Sequence, residues 1–190
     1  NGDDVPEDMA EAARWWRLAA EQGYASAQFN LGLVYANGEG VPEDMVEAAR
    51  WWRLAAEQGY ASAQFNLGLV YASGEGIPED MAEAARWWRL AAEQGYVSAQ
   101  YSLGVMYDNG DGVPEDDAEA VRWYRLAAEQ GDADAQSALG FLYADGEGVP
   151  EDDVEAVRLF RLAAEQGLAV AQYNLGVMYR DGERVPEDDA

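Results

Sequence analysis

The sequence predicts an all-α solenoid of about ten helices arranged in antiparallel pairs. Three observations carry that prediction. The six prolines stand at positions 6, 42, 78, 114, 150 and 186, so every interval is 36 residues. The units 6–41, 42–77, 78–113, 114–149 and 150–185 are close copies, and the first two differ only at Ala10/Val46, Asn37/Ser73 and Val41/Ile77. Each unit holds two runs of helix formers punctuated by glycine. One such unit cannot bury its own apolar face, whereas stacked copies bury a continuous core.

The first helix of a unit opens at Val5-Pro6-Glu7-Asp8. Proline suits the first helical position, and the acids oppose the positive end of the helix dipole. Ala10 to Gln22 continues in good helix formers, and Gly23 ends the run as a left-handed cap. The second helix is expected from about Ala25 to Asn37, stopped by Gly38, and Gly38-Glu39-Gly40-Val41 leads to the next proline. Gly32 lies inside that helix and recurs as Gly68, Gly104, Gly140 and Gly176. An interior glycine costs about 1 kcal/mol against alanine, so its recurrence points to a neighbouring helix too close for a Cβ. Ala12, Leu18, Ala19 and Ala20 recur in the first helix. Ala27, Leu31 and Tyr35 recur in the second at i, i+4, i+8, which is one helical face. Small residues let the helices approach, and Leu and Tyr fill the grooves.

Composition excludes much chemistry. The 190 residues contain no Cys, His, Lys or Thr, and all twelve basic residues are arginine against thirty-seven acids, a net charge of -25. Nucleophilic triads, a lysine Schiff base, a Walker lysine, the nitrogen or sulfur ligands of a structural zinc site and disulfides all lack their side chains. No metal or cofactor site is expected, nor an enzyme. A chain this acidic is repelled by nucleic acid and by anionic membrane surfaces, and no run approaches the roughly eighteen apolar residues of a membrane-spanning helix. The 49% hydrophobic content argues against disorder despite the charge. The chain opens on Asn1 without Met or a signal pattern and reads as a piece of something longer.

Ala25, Ala27, Leu31, Gly32, Tyr35, Gly38, Gly40 and Val41, followed by the Trp-Trp pair and Ala-Ala-Glu-Gln-Gly, resemble the Sel1-like repeat, a relative of the tetratricopeptide repeat. The resemblance spans the whole chain. It implies a right-handed superhelix in which Ala25–Tyr35 belongs to an A helix and the Trp-Trp segment to a B helix. In that phase the chain is one repeat array over 1–190: an orphan B helix at 6–22, repeats 24–59, 60–95, 96–131 and 132–167, and an orphan A helix at 168–180. Both ends are uncapped. Arg184 departs from the pattern where the other loops carry Gly40, Gly76, Gly112 and Gly148, so the last loop is expected to differ.

Proteins resembling this act as scaffolds and adaptors, with the concave surface lined by A helices. Carried over, that implies a partner-binding ladder for a peptide or protein. One rung set is Phe29, Phe65, Tyr101, Ser137 and Tyr173. A second is Leu33, Leu69, Val105, Phe141 and Val177. A third is Asn30, Asn66, Ser102, Ala138 and Asn174, where related repeats use Asn to hold a peptide backbone. The competing reading is that these rings simply pack on the next repeat. An apolar groove with Asn donors suits an extended or helical peptide.

Other constellations have plainer readings. Trp15-Trp16, Trp51-Trp52 and Trp87-Trp88 weaken to Trp123-Tyr124 and Leu159-Phe160, which keeps bulk and loses the indole. One member of each pair is expected in the core and the other at the seam between repeats, rather than as a stacking platform. Arg14 and Arg17 lie at helical spacing from Glu11 and Glu21, as on a solvated, salt-bridged face. The A helices carry only Arg180, which disfavours grip on a terminal carboxylate. Asp108-Asn-Gly-Asp111-Gly and Asp145-Gly-Glu147-Gly faintly resemble calcium loops but miss the EF-hand spacing; calcium-stabilised packing is the least favoured alternative. Some cysteine-rich relatives are linked to β-lactam hydrolysis, but its Ser-x-x-Lys motif is impossible without lysine. The fourth unit, with nine acids including Asp117, Asp132, Asp134 and Asp145 against two arginines, is where a basic partner would dock. The rival to a binding scaffold is an array that self-associates head to tail through its uncapped ends.

Overall fold

The computed structural model describes residues 8–181. Among them are ten α-helices and no strand: α1 (Met9–Glu21), α2 (Ala25–Asn37), α3 (Met45–Glu57), α4 (Ala61–Ser73), α5 (Met81–Glu93), α6 (Val97–Asn109), α7 (Asp117–Glu129), α8 (Ala133–Asp145), α9 (Asp153–Glu165) and α10 (Ala169–Asp181). The odd-numbered helices are the B helices and the even-numbered ones the A helices. None of the ten is long and apolar enough to cross a membrane. The chain divides into two compact units, residues 1–94 with α1 to α5 and residues 95–190 with α6 to α10. Inside the units α2, α4 and α8 each pack on both flanking B helices, and most extensively on the one that follows.

The B helices start differently from the sequence expectation. Pro42, Pro78, Pro114 and Pro150 lie outside the helix, two residues before its cap, and the equivalent Pro6 falls outside the described residues. Aspartate takes the cap instead. Asp44 Oδ1 accepts from the backbone N–H of Val46 and Glu47 at 3.0 Å, and Asp8, Asp80, Asp116 and Asp152 accept likewise from the residue three positions on. The reason is that a carboxylate satisfies first-turn donors, at about 1 kcal/mol per cap, whereas proline only omits one. The cap residue also ties the loop down, since Asp44 N–H donates to the Tyr35 carbonyl at 2.9 Å. Gly23 at φ +90° closes α1, as expected, its N–H donating to Ala20 O at 2.9 Å. Gly40 is required by contact as well, because a Cβ there would meet the backbone of Met9 and Ala10 at the start of α1. Arg184, the departure from this loop pattern, lies outside the described residues.

The core is built from small residues. Ala48, Ala55, Ala63, Leu67, Ala84 and Ala91 are wholly buried in the first unit, and Ala120, Ala127, Ala135, Ala156 and Ala163 in the second. One expectation fails: Leu18, Leu54, Leu90, Leu126 and Leu162 are exposed rather than filling grooves. Helical geometry gives the reason. Positions 12, 13, 16, 19 and 20 fill one arc of the B helix, and position 18 is rotated about 120° from position 12, beyond its edge.

Gly32, Gly68, Gly104 and Gly140 each face one aromatic residue twenty positions later. A Cβ on Gly32 would overlap the Trp52 indole, one on Gly68 the Trp88 indole, and one on Gly104 the Tyr124 ring. On Gly140 it would meet Phe160 at 3.1 Å, and on Gly176 nothing within 4 Å. The indole N–H then reaches the A-helix backbone, Trp52 Nε1 donating to Phe29 O at 3.2 Å and Trp88 Nε1 to Phe65 O at 3.1 Å. The other tryptophan of each pair fills the seam with the preceding helices, as expected. Trp51 packs with Ala20, Ala27 and Leu31 and is 7% exposed, whereas Trp15, at the start of the array, is 58% exposed.

These contacts make a graded prediction. Gly68→Ala is expected to destabilise by about 1–3 kcal/mol through overpacking against Trp88. Gly140→Ala, facing a smaller ring, should cost distinctly less. Gly176→Ala should stabilise, by up to about 1 kcal/mol of helix propensity. Urea unfolding followed by circular dichroism measures all three, and equal effects would contradict the packing account.

Candidate functional site

The partner-facing ladder has mixed surroundings. In the first unit Phe29, Asn30 and Leu33 on α2 and Phe65 and Asn66 on α4 are half-buried, while Leu69 is exposed. Phe29 lies against Tyr60 with ring centroids 5.1 Å apart, and Phe65 against Trp88 at 6.3 Å. Phe29 and Leu33 also pack on the core of the following repeat, so these side chains combine packing with exposure. The amides of Asn30 and Asn66 make no hydrogen bond to another described residue.

In the second unit the ladder departs from the repeat. Tyr101 lies 5.8 Å from Tyr124, and Val105 is half-buried beside it. The next ring is missing, because Ser137 stands at that position. Phe141 replaces the expected aliphatic residue and turns edge-on to Phe160 at 5.1 Å, staying 41% exposed. Tyr101, Val105, Ser137 and Phe141 line one groove of about 470 Å³. On α10, Tyr173 is 70% exposed and Val177 half-buried, and neither lines that groove. Asn174 is half-buried, with its amide nitrogen buried and unpartnered.

Negative charge acts on this groove. The Tyr124 hydroxyl donates to Asp108 Oδ2 at 3.1 Å. Burial first, and then Asp108, push the Tyr124 hydroxyl far above its ordinary pKa. Burial also raises Tyr101, helped by Asp134, Asp132 and Asp108. Both rings therefore remain neutral across the physiological range. Among the described residues no three acidic side chains come together to hold a metal ion, and the Asp108 and Asp145 loops turn on left-handed Gly110 and Gly146.

The arginines divide their roles. Arg14, Arg50, Arg86, Arg122 and Arg158 each bridge the Glu three residues earlier, as expected, at 2.6–3.2 Å. Such exposed pairs contribute about 0.2–0.5 kcal/mol. The partner expected for Arg17 is replaced: its guanidinium donates to the Tyr35 hydroxyl at 2.6 Å, and Arg53, Arg125 and Arg161 do the same to Tyr71, Tyr143 and Tyr179. The phenol lies within reach on the adjoining A helix and ties the two helices together.

Sequence reasoning also missed a glutamine relay. Gln28 is buried, donates to Ala20 O at 3.1 Å and accepts from Gln58 Nε2 at 2.7 Å. Gln64, Gln100 and Gln136 accept likewise from Gln94, Gln130 and Gln166. The available signal was a Gln recurring at one position in every A helix, next to the invariant Ala27-type residue.

A family model described as the Sel1 repeat matches residues 1–24, 25–60, 61–96, 97–132, 133–168 and 169–190. The crystal structure of a protective antigen present in uropathogenic Escherichia coli strains, displaying an SLR fold, is 44% identical over 98% of this chain, with a TM-score of 0.93. This chain spans 40% of that one. A Sel1 repeat protein from Oxalobacter formigenes is 41% identical over 92% of this chain and 69% of its own, with a TM-score of 0.79. The cysteine rich protein B of Helicobacter pylori, 21% identical over 71% of this chain and 97% of its own with a TM-score of 0.54, shares the fold. No curated protein matches the chain.

Proposed function

The chain belongs to the Sel1 repeat family, whose repeats generally mediate protein interactions, and from that premise we propose that it is a non-catalytic scaffold or adaptor holding a peptide or protein partner along its A-helix face. The observation that carries this reading is the row of part-exposed apolar side chains beside unused amides. Phe65 and Leu69 offer apolar surface one helical turn apart, and the Asn66 amide between them has no hydrogen bond to another described residue. Covering apolar area contributes roughly 25 cal/mol per Å², and the amide can pair with a peptide backbone. The His, Cys and Lys that nucleophilic triads and lysine-based catalysis need are missing from the composition.

Peptides selected on the chain from a random displayed panel test the proposal. Replacing Phe65 and Leu69 with Asp is expected to abolish their binding while leaving helical circular dichroism intact. Undiminished binding to the folded double variant would overturn the A-helix reading.

A second reading has its own observation. Trp15 is exposed and Trp16 half-buried on α1, while Gly176 on α10 has open space where Gly32 and Gly68 meet an indole. In the chain as it stands, a head-to-tail contact would seat the Trp16 ring of one copy on Gly176 of another, a heterologous arrangement that grows without closing. Sedimentation at rising concentration should then show growing species, and Gly176→Leu should suppress them. A strict monomer removes the reading.

A further inference from the structure

The groove of the fourth repeat differs from the ladder around it in three coincident ways. First, it opens at a missing ring: Phe29, Phe65, Tyr101 and Tyr173 occupy the position where Ser137 stands. Second, Ser137 is only 4% exposed, lines the groove, and makes no side-chain hydrogen bond to another described residue. The residue is nearly covered, but its hydroxyl oxygen is not among the enclosed, unpartnered polar atoms, so it keeps access to the groove and can pair with a ligand there. Third, Asp108, Asp134, Asp145 and Glu147 also line the groove, and no arginine does. The walls are the faces and edges of Tyr101, Tyr124 and Phe141.

Aromatic walls, a free hydroxyl acceptor and uncompensated carboxylates fit one kind of side chain. A guanidinium is planar, stacks on rings, donates in several directions and is weakly hydrated compared with an ammonium. The carboxylates do not converge as a metal site, so their charge is spread as a long cationic side chain would use it. We infer that this groove seats an arginine side chain of a basic partner peptide, with the guanidinium against the Tyr101 and Phe141 rings, donating to Ser137 and to the rim carboxylates. The inference deepens the scaffold reading and rests on it. The same aspartates act on the ring at the groove's wall, where burial first and then Asp134, Asp132 and Asp108 raise the pKa of the Tyr101 hydroxyl.

Fluorescence anisotropy with a fluorescein-labelled octapeptide alternating arginine and alanine, beside its glutamine counterpart, tests the assignment. The arginine peptide should bind saturably and the glutamine peptide at least about ten-fold more weakly. Ser137→Tyr, which restores the ring of the other repeats, should weaken the arginine peptide by about ten-fold or more. Should that variant misfold by circular dichroism, Asp134→Asn with Asp145→Asn must give the same loss, since both side chains are exposed. Glu57→Gln with Glu93→Gln, which removes equal charge from the first unit, should leave affinity within about two-fold, because neither side chain lines the groove and exposed charge is screened by salt. The inference is overturned if the arginine peptide does not bind, if the glutamine peptide binds equally, if the groove variants keep wild-type affinity, or if the Glu57/Glu93 variant loses as much. Failure here, with panel-selected peptides still requiring Phe65 and Leu69, would sink the arginine seat and leave the scaffold reading standing.

Discussion

The contact between an A-helix glycine and the aromatic ring twenty residues later organises everything else in each unit. Gly32, Gly68 and Gly104 leave no room for a Cβ because Trp52, Trp88 and Tyr124 lie flat against them. That contact fixes how closely an A helix and the following B helix approach. It also brings the indole N–H to the A-helix backbone, where Phe29 O and Phe65 O accept it. The cost of a glycine inside a helix, about 1 kcal/mol, is offset by packing that only glycine permits. The ring changes along the chain from indole to phenol to the phenyl of Phe160; the fit stays as tight at Tyr124 as at Trp88 and loosens only at Phe160.

Once that contact is set, the remaining surfaces follow. The first tryptophan of the pair on α3 and on α5 is turned toward the preceding helices of the first unit, which is why Trp51 and Trp87 are buried and unavailable as stacking platforms. The buried glutamines are joined to residues thirty positions on by side-chain hydrogen bonds at 2.7–2.9 Å, and Arg17, Arg53, Arg125 and Arg161 tie α1, α3, α7 and α9 to the following A helix through a phenol. What stays open is one side of the A helices. There Phe29 and Phe65 are shared between packing and solvent, and the fourth repeat trades its ring for Ser137 and a groove. The charge of -25 is spread through helix caps and loops in every unit, and around this groove it lines a space with aromatic walls.

Much of this was legible in the sequence. The 36-residue period gave the helices nearly residue by residue, with α2 at Ala25–Asn37 where expected. Gly32 announced a close neighbour because nothing local explains a recurring interior glycine. The misreadings share a cause: they concern choices between two local solutions. Pro42 and Asp44 both suit a helix start, and the carboxylate takes the cap. Leu18 has the right chemistry for a core position and sits outside the buried arc. Arg17 has acids at helical spacing and finds a phenol on the next helix instead, a partner set by tertiary packing. Gln28 was invisible to apolar periodicity because its hydrogen bonds run to Ala20 O and to Gln58, thirty residues on. Ser137 was visible as a departure, but that it opens a space could be read only once the rings around it were placed.

The most direct test of the central contact is a double-mutant cycle on Gly68 and Trp88 by urea unfolding. Gly68→Ala should destabilise the wild-type chain and be neutral or stabilising once Trp88→Leu has removed the indole, a coupling of about 1 kcal/mol or more. Effects that add to within about 0.5 kcal/mol would mean that the two residues do not sense each other, and would contradict the account.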